Sequence, residues 1–359
     1  MIEFDSSLRH PILTEDFQKI SAADMPWSEL AGATILVTGA NGFVPSYLVE
    51  ALLYLNECRL SLPLKVLALV RNHAKALKRF EAYQGRQDLG FIVQDVSEPA
   101  QIDEPVHYII HAASQASPRH FAVDPAGVLK PNVLGTHHLL ELARQKKSRS
   151  FVFVSSGEVY GKFPSPPGYP ISEQQYGSLD PMQIRSCYAE GKRAGEAICK
   201  AWSYQYGIPA RIARLGHTYG PGMDLEDGRV FSDFVANIVR GENILMKSKG
   251  LVSRPFCYLS DAIIGMLAIL LKGHDGEAYN LMNDEAETRI IDLARILCGL
   301  FPEKGLQVVE QPAQSCSIFS ATWNPGFLVD TQKVRNLGWK PSISVETGFR
   351  RTIQYYNPV

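Results

Sequence analysis

The chain has 359 residues, 45% of them hydrophobic, and carries 36 Lys and Arg against 37 Asp and Glu, a formal net charge of -1. That length exceeds one minimal core and suits a large α/β domain with a smaller companion. The balanced charge offers no electrostatic footprint for nucleic acid or an anionic membrane, so any polyanionic ligand must be small and held by local geometry.

The N-terminus, MIEFDSSLRHPILTEDF, has acids where a signal peptide needs bases, and no apolar run approaches the roughly 18 residues of a membrane span. Residues 1–32 read as a leader with a short helix near Glu15 to Ala22, packed on the core or on a partner subunit. ATILVTG follows as a short β-rich apolar run, then Gly-rich residues, then SYLVEALLYL with apolar residues at helical spacing. This predicts strand, tight turn, helix. KVLALV, FIVQDV, YIIHAA, SFVFVSS and ARIARLG are further buried-strand candidates, with amphipathic helices between several of them, notably around LGTHHLLELARQ. Strands alternating with helices imply a doubly wound parallel sheet, a Rossmann-type α/β domain over 33–220. Beyond about Gly220 come loops rich in Gly, Pro and Asp, with helices at FSDFVANIVRG, DAIIGMLAILLKG and IIDLARILCGL. Residues 221–359 are expected to form mainly a smaller, ligand-capping lobe. The absence of internal repeats and low-complexity tracts excludes a solenoid or a disordered scaffold. Cys58, Cys187, Cys199, Cys257, Cys298 and Cys316 lie far apart, without the paired spacings of a zinc site or a disulfide framework. No metal is therefore expected, and a reducing cytoplasm is the expected compartment.

Gly39, Asn41 and Gly42 sit where the first strand turns into the first helix, the place where backbone amides and a helix start can hold a pyrophosphate. A Gly-x-x-Gly pair also occurs in plain strand-to-helix turns; the flanking strand and helix favour the binding role. The usual third glycine is replaced by Pro45, which a first helical turn tolerates. The second strand ends Val70-Arg71-Asn72, with no acid to hold an adenosine ribose. Arg71 is either a solvated loop charge or a contact to a 2′-phosphate, so NAD is the expected cofactor with NADP left open. Asp95, at the end of the third strand, either accepts from the adenine amino group or caps the next turn.

CYAEGKRAGE places Tyr188 and Lys192 four residues apart on one face of a predicted helix. A lysine ammonium and an oxidised nicotinamide beside a tyrosine favour the phenolate and make it a base near neutral pH. The strand FVFVSS ends in hydroxyls at the carboxyl edge of the sheet, where open α/β sheets bind ligands. Ser156 is placed to hydrogen-bond the hydroxyl that Tyr188 deprotonates. Glu158 follows as a candidate acid or base, and its alternative is a structural pairing with an arginine such as Arg185.

TGANGF, the HAAS of His111 to Ser114, NVLGT at Asn132 to Thr136, SSGEVYG, Tyr-x-x-x-Lys and TYGPG, in this order, resemble the extended short-chain dehydrogenase/reductase family of nucleotide-sugar enzymes over about residues 33–356. Within it, RSCYAEGKRAGE, TYGPGMDLEDGRVFSDFV and RPFCYLSD are most similar to the UDP-glucuronate decarboxylase branch. The resemblance implies a catalytic set of Ser156, Glu158, Tyr188 and Lys192. It implies a dinucleotide held by Gly39, Asn41, Gly42, Phe43, Val44, Arg71, Asp95, Val96, Ala112, Ala113, Ser114, Asn132, Tyr188 and Lys192. A nucleotide-diphosphate sugar is implied against Ser117, Arg185, His217, Gly228, Arg229, Val230 and Arg254. It further implies a homodimer paired through the helix bearing Tyr188 and the one along GTHHLLELARQ.

This sequence departs from the family pattern at several positions. Gly157 stands where 4,6-dehydratases have an aspartic acid, and His217 and Gly222 stand where the decarboxylases have Asn and Arg. The expected chemistry is oxidation at C4 of the sugar, followed by decarboxylation of a C6 carboxylate. The alternatives are 4-epimerisation and 4,6-dehydration. A reading from another class is a dinucleotide-binding regulator with a dead active site, which would need none of Ser156, Tyr188 and Lys192.

Overall fold

A computed structural model of the chain describes residues 9–162, 169–310 and 328–357. Its strands are β1 (Thr34–Thr38), β2 (Lys65–Val70), β3 (Leu89–Val93), β4 (Tyr108–His111), β5 (Ser150–Ser156), β6 (Ala210–Leu215), β7 (His217–Tyr219), β8 (Ile244–Met246), β9 (Ser253–Tyr258), β10 (Ala278–Leu281), β11 (Glu287–Arg289) and β12 (Val308–Glu310). The central sheet has seven strands in the order β3-β2-β1-β4-β5-β6-β10, and every pairing in it is parallel. β1, β4 and the first six residues of β5 are wholly buried, because helices cover both faces. The order reverses between β1 and β4, and the carboxyl ends at that reversal are where such sheets bind ligands. The expected Rossmann-type architecture is borne out.

Five of the six expected strands and the helices Phe43–Cys58, Thr136–Lys146, Val230–Arg240, Leu259–Lys272 and Ile290–Leu300 fall where the sequence places them. The third strand is displaced: FIVQDV was expected, and β3 ends at Val93, leaving Asp95 in the following turn. The stretch after Gly220 divides between two layers. β10 returns to the central sheet beside β6, and the helix Leu259–Lys272 shares the main core with β1 and the helix Phe43–Cys58. The remainder builds a second core, in which Phe231, Phe234, Leu293, Leu297 and Phe349 pack around Tyr219. The Tyr219 and Phe349 rings stack there at 3.8 Å.

The leader helix starts earlier than expected, at Pro11, and runs to Ala22. It packs on the core through buried Leu13, Phe17 and Ile20. Asp16 anchors it, accepting hydrogen bonds from Tyr47, Tyr258 and Arg351, each at 2.8 Å. Residues 1–8 of the leader and Cys316 lie outside the described residues. Cys58, Cys187, Cys199, Cys257 and Cys298 are free thiols. Among the described residues no helix is long and apolar enough to cross a membrane, and no group of three or more His, Cys, Asp and Glu side chains could hold a metal ion.

Candidate active site

A cleft of about 740 Å³ opens at the carboxyl edge of the central sheet, within the range of small-molecule sites. Its floor is the turn after β1. Gly39 has φ +65°, and a Cβ there would meet the Cα of Ala113 at 2.8 Å, so neither the backbone conformation nor the neighbouring strand end admits a side chain. Gly42 caps the helix Phe43–Cys58 without any side-chain hydrogen bond, which leaves the first-turn amides open to an anion. Pro45 falls in that first turn, where its missing N–H costs no helical bond.

Thr38 ties this turn to β4. Its hydroxyl accepts from the amides of Ala112 at 3.2 Å and Ala113 at 3.1 Å and donates to His111 Nδ1 at 2.8 Å, while His111 Nε2 donates to the Pro131 carbonyl at 3.0 Å. Those bonds require a neutral imidazole, and burial together with the nearby charge of Lys192 pushes its pKa down to about 3. Sequence reasoning gave Thr38 and His111 no individual role, although both stand inside motifs it quoted.

The catalytic candidates converge on one wall. Ser156 ends β5 and accepts from the Glu158 amide at 3.2 Å. Tyr188 is the second residue of the helix Cys187–Tyr206, buried against Phe121 with the two rings stacked at 5.1 Å. Lys192, one turn on, is buried and donates from Nζ to the Val154 carbonyl at 2.6 Å. Burial and the charge of Glu158 raise the Tyr188 pKa to about 12, against a side-chain hydrogen bond with Ser156 and the charges of Arg229 and Arg185. Burial lowers Lys192 to about 7. In the protein alone Ser156, Arg229 and Arg185 oppose the rise at Tyr188 without overcoming it, and the expected acidification of the tyrosine calls for the oxidised nicotinamide beside it as well as the lysine.

Glu158 is paired, with one carboxylate oxygen 2.8 Å from the Arg185 guanidinium. Arg185 also lies over the Phe121 ring, 4.6 Å from its centre. At the far end of the cleft Ser117 donates to the Asp227 carbonyl at 2.6 Å. Asp227 in turn accepts from the backbone amide of Arg229 at 2.8 Å and pairs with its guanidinium. His217 meets the rings of Phe231 and Phe256 edge-on, and these two also meet each other; its pKa is pushed well down by burial and by Arg254 and Arg229. Burial lowers Arg254 to about 10, against the attraction of Glu158.

The cleft wall therefore unites Gly39, Asn41, Gly42, Phe43, Val44, Arg71, Asp95, Val96, Ala112, Ala113, Ser114, Ser117, Ser156, Glu158, Tyr188, Lys192, His217 and Arg229. Five expected residues stand outside it. Asn132 is buried behind the wall, donating to Ser114 at 3.2 Å and to the Val128 carbonyl at 2.7 Å, and its carboxamide oxygen has no hydrogen-bond partner among the described residues. Arg185 is turned to Glu158, Arg254 donates to the Ser253 carbonyl at 2.9 Å, Gly228 packs on Arg119, and Val230 begins the helix Val230–Arg240. Asp95 takes the capping role, accepting from the Ser97 amide at 2.8 Å, and sits 3.8 Å from Arg71.

The uncapped helix start, the side-chain-free cradle at Gly39 and the open edge at Arg71 and Asp95 fit a nicotinamide dinucleotide laid across the reversal between β1 and β4. Together they define a dinucleotide-dependent enzyme, with Tyr188 as its candidate base. A profile described as the NAD dependent epimerase/dehydratase family matches residues 35–281, and the chain belongs to that family. It is 33% identical over 332 residues to UDP-glucuronic acid decarboxylase 1 of Xenopus tropicalis, covering 92% of this chain and 73% of that protein. Among solved structures it resembles UDP-glucose 4-epimerase of Thermotoga maritima with UDP-glucose, at a TM-score of 0.75 and 23% identity over 90% of this chain and 98% of that one. It also resembles UDP-glucuronic acid 4-epimerase of Bacillus cereus in complex with UDP-glucuronic acid and NAD, at 0.73 and 21% over 90% and 99%. At those identities the two structures bear on the fold alone.

Proposed function

We propose that the protein acts on UDP-glucuronate or a closely related nucleotide-linked uronate, oxidising C4 and removing the C6 carboxylate as carbon dioxide. The carrying observation is that Ser156, Glu158, Tyr188 and Lys192 line one cleft, between the glycine turn at Gly39 and the arginine at Arg229. Gly39, Gly42, Ser114 and Lys192 would hold NAD, which would supply a reversible hydride acceptor for C4. Ser156 orients the C4 hydroxyl and Tyr188 removes its proton. A C4 ketone places the C6 carboxylate β to a carbonyl, so the C5–C6 bond breaks with its electrons flowing into an enolate at C4 and C5; C5 takes a proton from solvent, and Tyr188 returns its proton to the C4 oxygen as the ketone is reduced. Arg229, which lines the cleft, neutralises the diphosphate.

The ion pair between Glu158 and Arg185 supports a second reading, because it gives the glutamate a structural reason to be there. Under that reading the ketone rotates and C4 is inverted, which is 4-epimerisation. Dehydration ranks below both, for Gly157 offers no acid to a departing C6 hydroxyl. Leu134 and Tyr206, on the turn before Thr136–Lys146 and at the end of Cys187–Tyr206, are apolar and exposed, which supports a homodimer through these helices. The five free thiols support a reducing compartment. Mass spectrometry of products from a panel of UDP-, dTDP-, GDP- and CDP-sugars tests the assignment. Release of carbon dioxide from UDP-glucuronate is the expected result, and conversion of a neutral hexose with none from the uronate overturns it.

A further inference from the structure

Beyond the glycine turn, the cleft wall carries three cations within nine residues of chain. Arg71 stands directly after β2, and Lys75 and Arg79 follow at four-residue intervals on the helix His73–Arg79. Lys75 and Arg79 therefore share one helix face, Arg71 stands outside the helix just before its N-cap Asn72, and all three line the cleft. The position of Arg71 is the one that meets the adenosine ribose in a doubly wound dinucleotide site. A carboxylate there accepts from the ribose hydroxyls and repels a phosphate; an arginine does the reverse. No Asp or Glu occurs between Leu69 and Phe80.

The three cations are not equally committed. Arg79 is fixed, with its guanidinium 2.6 Å from buried Glu50 and donating to the Ser46 hydroxyl at 3.0 Å. Arg71 pairs only at 3.8 Å with Asp95, and the two side chains are 59% and 45% exposed. Such a pair contributes little and is readily exchanged for a better anion. A guanidinium offers a phosphate two parallel donors, and a lysine one turn away adds a point charge.

We infer that this end of the cleft is a phosphate site on the adenosine ribose, built by Arg71 and Lys75 with Arg79 behind them. The protein then takes the 2′-phosphorylated dinucleotide, NADP, at least as well as NAD. This rests on the dinucleotide reading of the cleft and is independent of the sugar and of the reaction.

The test is direct competition. Full-length protein is incubated with equal concentrations of NAD and NADP, freed of unbound nucleotide and denatured in acid, and the released dinucleotides are counted by mass spectrometry. Wild type should retain NADP in amounts equal to or above NAD. Arg71→Asp should move the ratio toward NAD by roughly ten- to a hundredfold, the range of one charge-assisted contact, and Lys75→Ala should move it less in the same direction. Total nucleotide per chain should hold, since the pyrophosphate cradle at Gly39 and Gly42 is untouched. Wild type retaining mostly NAD, or a ratio that Arg71→Asp leaves unmoved, overturns the inference and spares the proposed reaction. Retention of neither dinucleotide overturns the dinucleotide reading itself.

Discussion

Glu158 and Arg185, 27 residues apart, meet at 2.8 Å, and the pair is coupled to the base through an aromatic step. Arg185 covers one ring, Phe121, that stacks on Tyr188. The carboxylate most concerned with the choice of reaction is therefore held in place, and the guanidinium that holds it also favours the tyrosinate.

If decarboxylation is the reaction, Glu158→Gln should slow product formation by roughly a hundredfold or more, the range for a positioned acid or base. The first oxidation should survive, so reduced cofactor should appear transiently in stopped-flow absorbance. An unchanged overall rate makes Glu158 structural and moves the epimerase reading ahead. Arg185→Met carries a separate signature. Losing its charge raises the Tyr188 pKa further, so the rate should rise with pH at a more alkaline midpoint than in wild type.

The parts legible in the sequence are those set by local pattern. KVLALV is buried on both faces and so reads as an unbroken apolar run; Tyr188 and Lys192 share a helix, so their spacing alone puts them together. β10 was not legible. It is four residues long, and its buried Asn280 is satisfied by groups distant in the chain, donating to the carbonyls of Ile171 at 3.1 Å and Asp330 at 2.9 Å and accepting from the Tyr160 hydroxyl at 2.6 Å. The role of Thr38 was hidden for the same reason, since its partner His111 lies 73 residues away. Arg254 and Asn132 stand outside the cleft wall, Arg254 donating to the Ser253 carbonyl and Asn132 to the Val128 carbonyl and the Ser114 hydroxyl, contacts that no motif records.

Gly39→Ala tests the dinucleotide cradle. The left-handed backbone at φ +65° costs an alanine about 1–2 kcal/mol, and the new methyl would meet the Ala113 backbone rather than a movable side chain. Lower stability in urea and a loss of reduced-cofactor fluorescence on titration are both expected. Wild-type behaviour in both measurements would show that the turn has room the geometry denies.

Asp16→Ala tests whether the leader helix belongs to the fold. The substitution strips two buried tyrosine hydroxyls and Arg351 of their shared acceptor. Arg351 keeps Glu15 as a partner, but leaving a buried hydroxyl without its acceptor costs about 1–3 kcal/mol. Asp16→Asn, which keeps one acceptor oxygen, should cost less. A change within about 0.5 kcal/mol by equilibrium unfolding, the size of a surface substitution, would mean that the helix merely rests on the core.

Lys192 sets catalysis against stability. Its ammonium is buried beside the Val154 carbonyl, and desolvation lowers its pKa from 10.5 to about 7, with Glu196 and Cys199 opposing. Between those two values the unfolded chain holds a proton that the native chain has released. Native stability therefore rises with pH across that window, and the cost of the lysine is greatest at and below about pH 7. Lys192→Met removes the titrating group while keeping an unbranched apolar stem in the same space. The variant should be inactive, because it lacks the amine beside Tyr188, yet melt higher than wild type near neutrality. That advantage should shrink as the pH approaches 10.5. Melting curves of both proteins over this range, without added cofactor, decide the matter. A methionine variant that melts lower than wild type at neutral pH, or a difference that stays constant with pH, would show that the lysine is stabilised by its surroundings rather than held there at a cost for the reaction.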